Sequence, residues 1–209
     1  MESKLLENQQ KSRAIRDFDT EKKISNEKWQ DLLEIARLAP SSNGLEPWKI
    51  IQIDSEKLRE KLSTFSPGMT KQLLTADKFI FFTALKFDEN YFKHLQEDVH
   101  GYDDILFKKW QKNFKRLHNE FLQIDESAWL ERQVMLSVGQ MVFAAGQLEV
   151  DSCIMEGFNT KEITSILEKE GVLNSEKERL TVAVAFGYRK NTPKRPKTRK
   201  KLSELLKII

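Results

Sequence analysis

The chain has 209 residues, 39% of them hydrophobic, and 35 Lys and Arg against 32 Asp and Glu give a formal charge of +3. That is about one domain's worth of chain with enough apolar matter for a core, which excludes a wholly disordered polymer. The longest apolar run, Phe79 to Phe82 continuing through Leu85, falls far short of the roughly 20 residues a bilayer span requires, so a soluble protein is expected.

Residues 1–10 read as a loose start, followed by a short helix ending near Arg13. The polar stretch from Met1 to Lys11 lacks the apolar segment of a secretory signal. A single cysteine, Cys153, excludes an intramolecular disulfide framework and suits a reducing compartment. A cytoplasmic location is therefore expected, with Cys153 a small buried side chain. Ser25 or Asn26 caps the next helix, with Glu27 in its first turn where the helix dipole favours an acid. Trp29, Leu32, Leu33, Ala36 and Ala39 follow at helical spacing. Pro40 then ends the helix and Ser41-Ser42-Asn43-Gly44 makes a polar turn before the β-branched strand 49–53. Such a turn is either an ordinary reversal or a cradle that exposes hydroxyls and N–H groups to a phosphate or polyol.

Ser55 opens another helix, residues 68–76 read as a short one, and 79–85 as a buried strand. Residues 90–120 are charged with recurring Tyr91, Leu95, Leu106, Trp110, Phe114, Leu117 and Phe121, the pattern of one or two amphipathic helices. Residues 127–150 are apolar around most of a helix circumference and predict a buried helix. Its Gly139, Ala144, Ala145 and Gly146 permit close approach of another helix, within the domain or across a subunit boundary. Asn159 and Glu162 form a capping-box pattern for a helix stopped by Gly171, and 180–186 reads as a central strand. Between Arg189 and Lys201 lie eight basic residues and no acidic one. Pro193 and Pro196 hold that run extended as a strap. His94, His100 and His118 lack metal-ligand spacing and read as exposed helix residues. There is no Gly-x-Gly-x-x-Gly fingerprint for a tightly held dinucleotide. Three or four strands among helices give an α+β or α/β fold whose strand order the pattern leaves open.

Four segments carry a resemblance: Arg13-Ala14-Ile15-Arg16-Asp17-Phe18, Pro40-Ser41-Ser42 with Pro47-Trp48, Asp151 to Phe158, and Phe186 to Arg189 with Arg195-Pro196-Lys197-Thr198-Arg199. In this order they resemble the FMN-dependent nitroreductase family, and within it the bacterial oxygen-insensitive NAD(P)H enzymes, over roughly residues 10 to 205. The resemblance implies an α+β fold with a mixed sheet wrapped by helices, one domain over 1–209 with a helical excursion at about 90–121. It further implies an intertwined homodimer that exchanges the 189–209 strap and holds FMN at its interface. Arg16, Lys197 and Arg199 match the phosphate-binding positions, with Arg13 adjacent. Ser41 and Ser42 match hydroxyl contacts, Gln72 a polar group near the pyrimidine edge, and Glu156 and Gly157 backbone contacts near N5. Ser12 stands where the family usually has its first arginine, which shifts phosphate duty to Arg13, and Ile154 replaces a proline. The implied reaction is ping-pong hydride transfer from NAD(P)H to nitroaromatics or quinones, the 90–121 wall selecting the acceptor. No catalytic side chain and no metal are needed, because the flavin carries the chemistry. A flavin-binding or storage protein, or a nucleic-acid partner of the basic C-terminus, remain the alternatives.

Overall fold

The computed structural model describes residues 3–87 and 89–209, apart from the side chains of Glu89, Asn90, His118 and Asn119; the reading of His118 thus lies outside the described residues. Four strands form one sheet in the order β1 (Trp48–Gln52), β2 (Lys78–Leu85), β4 (Glu178–Gly187), β3 (Asp151–Met155), each pair antiparallel. The expected mixed sheet is corrected accordingly. Among the described residues the parallel pairing is a single bridge, Ala14 to Ser152, because the 13–18 segment touches β3 without forming a strand of its own.

Alternating side chains on β2 send Ile80, Phe82 and Ala84 to one core and Phe79 and Phe81 to the other. On β4 the register shifts between Phe82 and Thr83 of its partner, whose mates are Val182 and Leu180. Thr181 is therefore a bulge residue, and Leu180 and Val182 face opposite cores. The first core is covered by α2 (Asn26–Arg37) and the 22-residue α7 (Glu126–Gln147), the second by α3 (Glu56–Ser63), α4 (Thr70–Thr75) and α8 (Thr160–Lys169).

The expected caps form: Ser25 accepts from the Lys28 amide, Ser55 from Leu58 and Asn159 from Glu162. The capping box at Asn159 is half made, since its own N–H donates to the Phe65 carbonyl at 2.8 Å. Gly171 ends α8 at φ 71°, as expected of a left-handed stop. The loose start is replaced by α1 (Lys4–Lys11), where Asn8 donates to the Gln147 carbonyl and Gln147 to that of Leu5. A methyl at Gly146 would lie 2.4 Å from Ser12 Oγ, so this glycine admits the chain that follows α1.

The 90–121 excursion contains α5 (Glu89–His94), a π turn (Leu95–His100), α6 (Asp104–Arg116) and a second π turn (Leu117–Leu122). Phe107, Trp110 and Phe114 stack along α6, Phe114 meeting Trp129 of α7 edge-on. His94 is exposed and pairs with Asp98 at 2.8 Å. His100 is a correction: its ring lies 4.8 Å from Tyr102 in a stack and its Nε2 is buried. A short α9 (Leu202–Leu205) follows the extended basic run.

Candidate functional site

Three polar side chains one helical face apart on α7 set the Ser41-Ser42 turn. Gln140 donates to the Ile35 carbonyl at 3.1 Å and Ser137 to that of Ala36 at 2.7 Å, satisfying the open end of α2. Gln133 Oε1 accepts from the Ser42 amide at 2.9 Å. Each such bond adds about 1 kcal/mol net. Ser41 Oγ accepts from the Glu46 amide at 2.8 Å, closing a loop in which Asn43, Gly44 and Glu46 all have φ above +40°. From outside, the half-buried Tyr91 hydroxyl donates to the Leu45 carbonyl, and a Cβ at Gly44 would meet Val99 at 3.1 Å. Burial raises the Tyr91 phenol above its ordinary value, with the charge of Glu46 adding to it, so it stays a donor.

The N-terminal motif is anchored by Ile15 and Phe18, 7% and 1% exposed. Its backbone bonds to Ser152 on one side and to Tyr188 on the other, through Ile15 N–H to Ser152 O at 3.1 Å and Asp19 N–H to Tyr188 O at 2.8 Å. Arg13 is thereby brought to the basic run nearly a full chain length away. Arg13, Lys197 and Arg199 line one 630 Å³ recess with Lys11, Arg189, Lys194 and Arg195, and among the described residues no carboxylate lines it. Lys197 Nζ donates to the Gln9 carbonyl at 2.6 Å. Burial lowers its pKa, and the Arg199 and Arg13 charges lower it further. Arg13 Nη1 is buried without a hydrogen-bond partner. Arg189, part of the closing motif, is committed elsewhere: it forms a bidentate pair with Asp151, which raises its pKa.

Arg16 is exposed and lies outside that recess, its charge acting on Cys153. Gln72 is 4% exposed and donates to Cys153 Sγ at 3.8 Å. Burial pushes the Cys153 thiol up, with the Gln72 bond and Arg16 acting against it. Glu156 and Gly157, just past β3, are exposed and line a recess with Gly68. The Gly68 N–H donates to the Gly157 carbonyl at 3.0 Å, and a Cβ on Gly68 would lie 2.8 Å from Gly157 Cα. Ser41 and Ser42 line neither the basic recess nor this one. Sequence reading missed Gln133 and the close approach of Gly68 to Gly157; Pro67-Gly68 carried a turn signal, while Gln133 carried none inside its helix.

Orphaned guanidinium, neighbouring ammonium and open backbone fit a dianionic phosphate carrying a flat polar group. Among the described residues no His, Cys, Asp and Glu group could hold a metal ion, and no helix is long and apolar enough to cross a membrane.

Fold and recess together define an α+β protein with helices on both faces of an antiparallel sheet and a cation-lined cradle at the edge of that sheet. The sequence profile described as "Nitroreductase family" matches residues 10–188, and the chain belongs to that family. A Staphylococcus haemolyticus protein provisionally named an NAD(P)H nitroreductase is 39% identical over 191 residues, covering 87% of this chain and 86% of the relative. Among solved structures, a nitroreductase-like protein of Streptococcus mutans superposes with a TM-score of 0.77 at 20% identity, over 98% of this chain and 97% of the other. One from Exiguobacterium sibiricum, provisionally named a nitroreductase and solved in complex with FMN, gives a TM-score of 0.75 at 19% identity over 100% and 99%.

Proposed function

We propose that this protein is an FMN-dependent NAD(P)H oxidoreductase that reduces nitroaromatics or quinones in ping-pong order. The observation that carries the reading is the buried, unpartnered Arg13 Nη1 in a recess shared with Lys197 and Arg199. A buried N–H without a partner is costly and is satisfied by a phosphate oxygen. When bound, FMN supplies a two-electron carrier that accepts hydride from NAD(P)H and delivers it to the acceptor.

In this reading Arg13, Lys197 and Arg199 hold the phosphate, with Arg16 close by on the same segment. The backbone of Glu156 and Gly157 donates to the flavin edge near N5, and Gln72 serves the pyrimidine side. Ser41 and Ser42 come from a second copy of the chain, which accounts for their absence from either recess. The homodimer is supported by the outward row Met135, Leu136, Phe143 of α7, 37%, 48% and 44% exposed, around Gly139, where an added Cβ would meet no described neighbour within 4 Å. Leu202, Leu205 and Leu206 on the tail are equally uncovered, as an exchanged strap requires. A cytoplasmic location completes the proposal.

The test is a visible spectrum of protein purified with FMN and desalted, recorded anaerobically before and after NADPH and then NADH, with mass measured by light scattering. Flavin absorbance that bleaches and returns on adding a nitroaromatic or quinone is the expected result. Retained flavin inert to both nicotinamides would make the protein a flavin binder, and absent flavin would overturn the site assignment.

A further inference from the structure

The outer face of the 90–121 excursion lines neither of the recesses described above. Between Ile105 and Asn119 the chain carries five cations, Lys108, Lys109, Lys112, Lys115 and Arg116, and no carboxylate. On α6, Phe107, Trp110 and Phe114 pack inward at spacings of three and four. Ile105, Lys108, Lys109, Lys112 and Arg116 repeat at the same spacings on the opposite face, and all are exposed. The carboxylates nearby are committed: Asp103 caps α6, Asp104 accepts from Gln96 at 2.8 Å, and Glu97 and Asp98 pair with Lys93 and His94. Among the described residues none of the five cations forms an ion pair. Apolar side chains stand among these charges. Ile105 and Phe121 are 80% and 67% exposed, and Leu106, Leu117 and Leu122 are uncovered as well. Cations alone suit any polyanion, whereas cations interleaved with uncovered apolar side chains suit a surface that is anionic outside and apolar beneath. A nucleic acid would leave the apolar groups in water, and a second copy of this face would be repelled by like charge.

We propose that α6 and the π turn after it dock this protein on a bilayer containing anionic phospholipid. Lys108, Lys109, Lys112, Lys115 and Arg116 meet the headgroups, while Ile105, Phe121 and Leu122 enter the boundary between headgroups and acyl chains. This surface is separate from the basic strap and from the outward row of α7, and the proposal stands independently of the oxidoreductase reading. Each cation held near an anionic bilayer strengthens binding about fivefold, so five together turn a weak contact into a measurable one.

The experiment sediments the full chain with sucrose-loaded vesicles of phosphatidylcholine containing roughly one third phosphatidylglycerol, and with pure phosphatidylcholine, at about 0.1 M salt. The wild type should bind the anionic vesicles and not the neutral ones. Lys108→Gln, Lys109→Gln and Lys112→Gln combined should weaken that binding on the order of a hundredfold. Lys57→Gln, Lys161→Gln and Lys169→Gln combined, which remove the same charge from exposed positions on α3 and α8, should weaken it by less than about threefold. Ile105→Ser with Phe121→Ser should weaken it about tenfold, since both side chains lose their apolar contact with lipid. Every substituted position is exposed, and thermal melting verifies that each variant folds. Equal sedimentation with both vesicle types, sedimentation with neither, or equal losses in the two lysine triples overturns the proposal. So does retention of a short DNA duplex through Lys108, Lys109 and Lys112 with vesicles left unbound, which would make this face a nucleic-acid surface. Flavin content enters none of these readings, so failure here leaves the oxidoreductase reading intact, and a colourless protein leaves the vesicle result decisive.

Discussion

Replacing Arg13 with alanine is expected to move cofactor affinity and the stability of the empty protein in opposite directions. In the folded chain Nη1 of Arg13 is buried and makes no hydrogen bond. An unsatisfied buried donor costs on the order of 1–3 kcal/mol, and removal of the guanidinium returns that amount less the packing of its aliphatic stem. The FMN-free variant should therefore be as stable as the wild type or more so, by about 1 kcal/mol. A guanidinium–phosphate bond contributes roughly 1.5–3 kcal/mol, so FMN should bind about ten- to a hundredfold more weakly. Fluorescence titration of apoprotein with FMN gives the first quantity and urea unfolding the second. FMN affinity within about threefold of wild type, or an apoprotein destabilised by more than about 2 kcal/mol, would make Arg13 an ordinary structural residue and refute the reasoning.

Lys197, with its pKa lowered by burial and by Arg199 and Arg13, loses its proton earlier than an ordinary lysine as pH rises. Phosphate binds the charged form, so FMN affinity should be full near neutrality and fall on the alkaline side, and Lys197→Arg should flatten that fall in a pH series of titrations. A methyl added by Gly157→Ala would lie 2.9 Å from Gly68 Cα, which should cost about 1–3 kcal/mol in urea unfolding and lower the flavin retained on desalting. Arg59 holds α3 to the sheet by donating to the carbonyls of Ile53 at 2.7 Å, Ala76 at 2.5 Å and Asp77 at 3.2 Å. Arg59→Met strands at least two of these and should cost about 3 kcal/mol, or roughly 6–12 °C in melting temperature, without changing the FMN affinity of the folded fraction.

Local signals in the sequence were reliable where short-range chemistry decides the outcome. Ser25, Ser55 and Asn159 cap helices because a side-chain oxygen meets an amide three residues on, and Gly171 ends one because it tolerates a left-handed backbone. The Asn159 box fails in its second half because a tertiary carbonyl, Phe65, takes the amide first. The parallel element expected in the sheet is absent from the named strands for a similar reason: apolar alternation specifies faces but not neighbours. His100 was misread because a polar ring in a charged stretch carries no sign of the aromatic stack that encloses it. Composition grouped Arg189 with the other cations of the strap, yet Asp151 claims it, and a pair separated by 38 positions has no local signature. The same holds for the recess itself, where Lys197 bonds to a carbonyl 188 positions away.

The turn at Ser41 to Glu46 is held by Gln133 beneath, Tyr91 above and its own Ser41 hydroxyl, between Pro40 and Pro47. A segment so restrained has little conformational entropy left to lose when a ligand arrives. Under the proposed function, cofactor loading needs no ordering of this loop, and its rate is set by encounter with a recess rich in positive charge. Association should accordingly be fast at low ionic strength and slow steeply with added salt, while dissociation, governed by short-range bonds, responds far less.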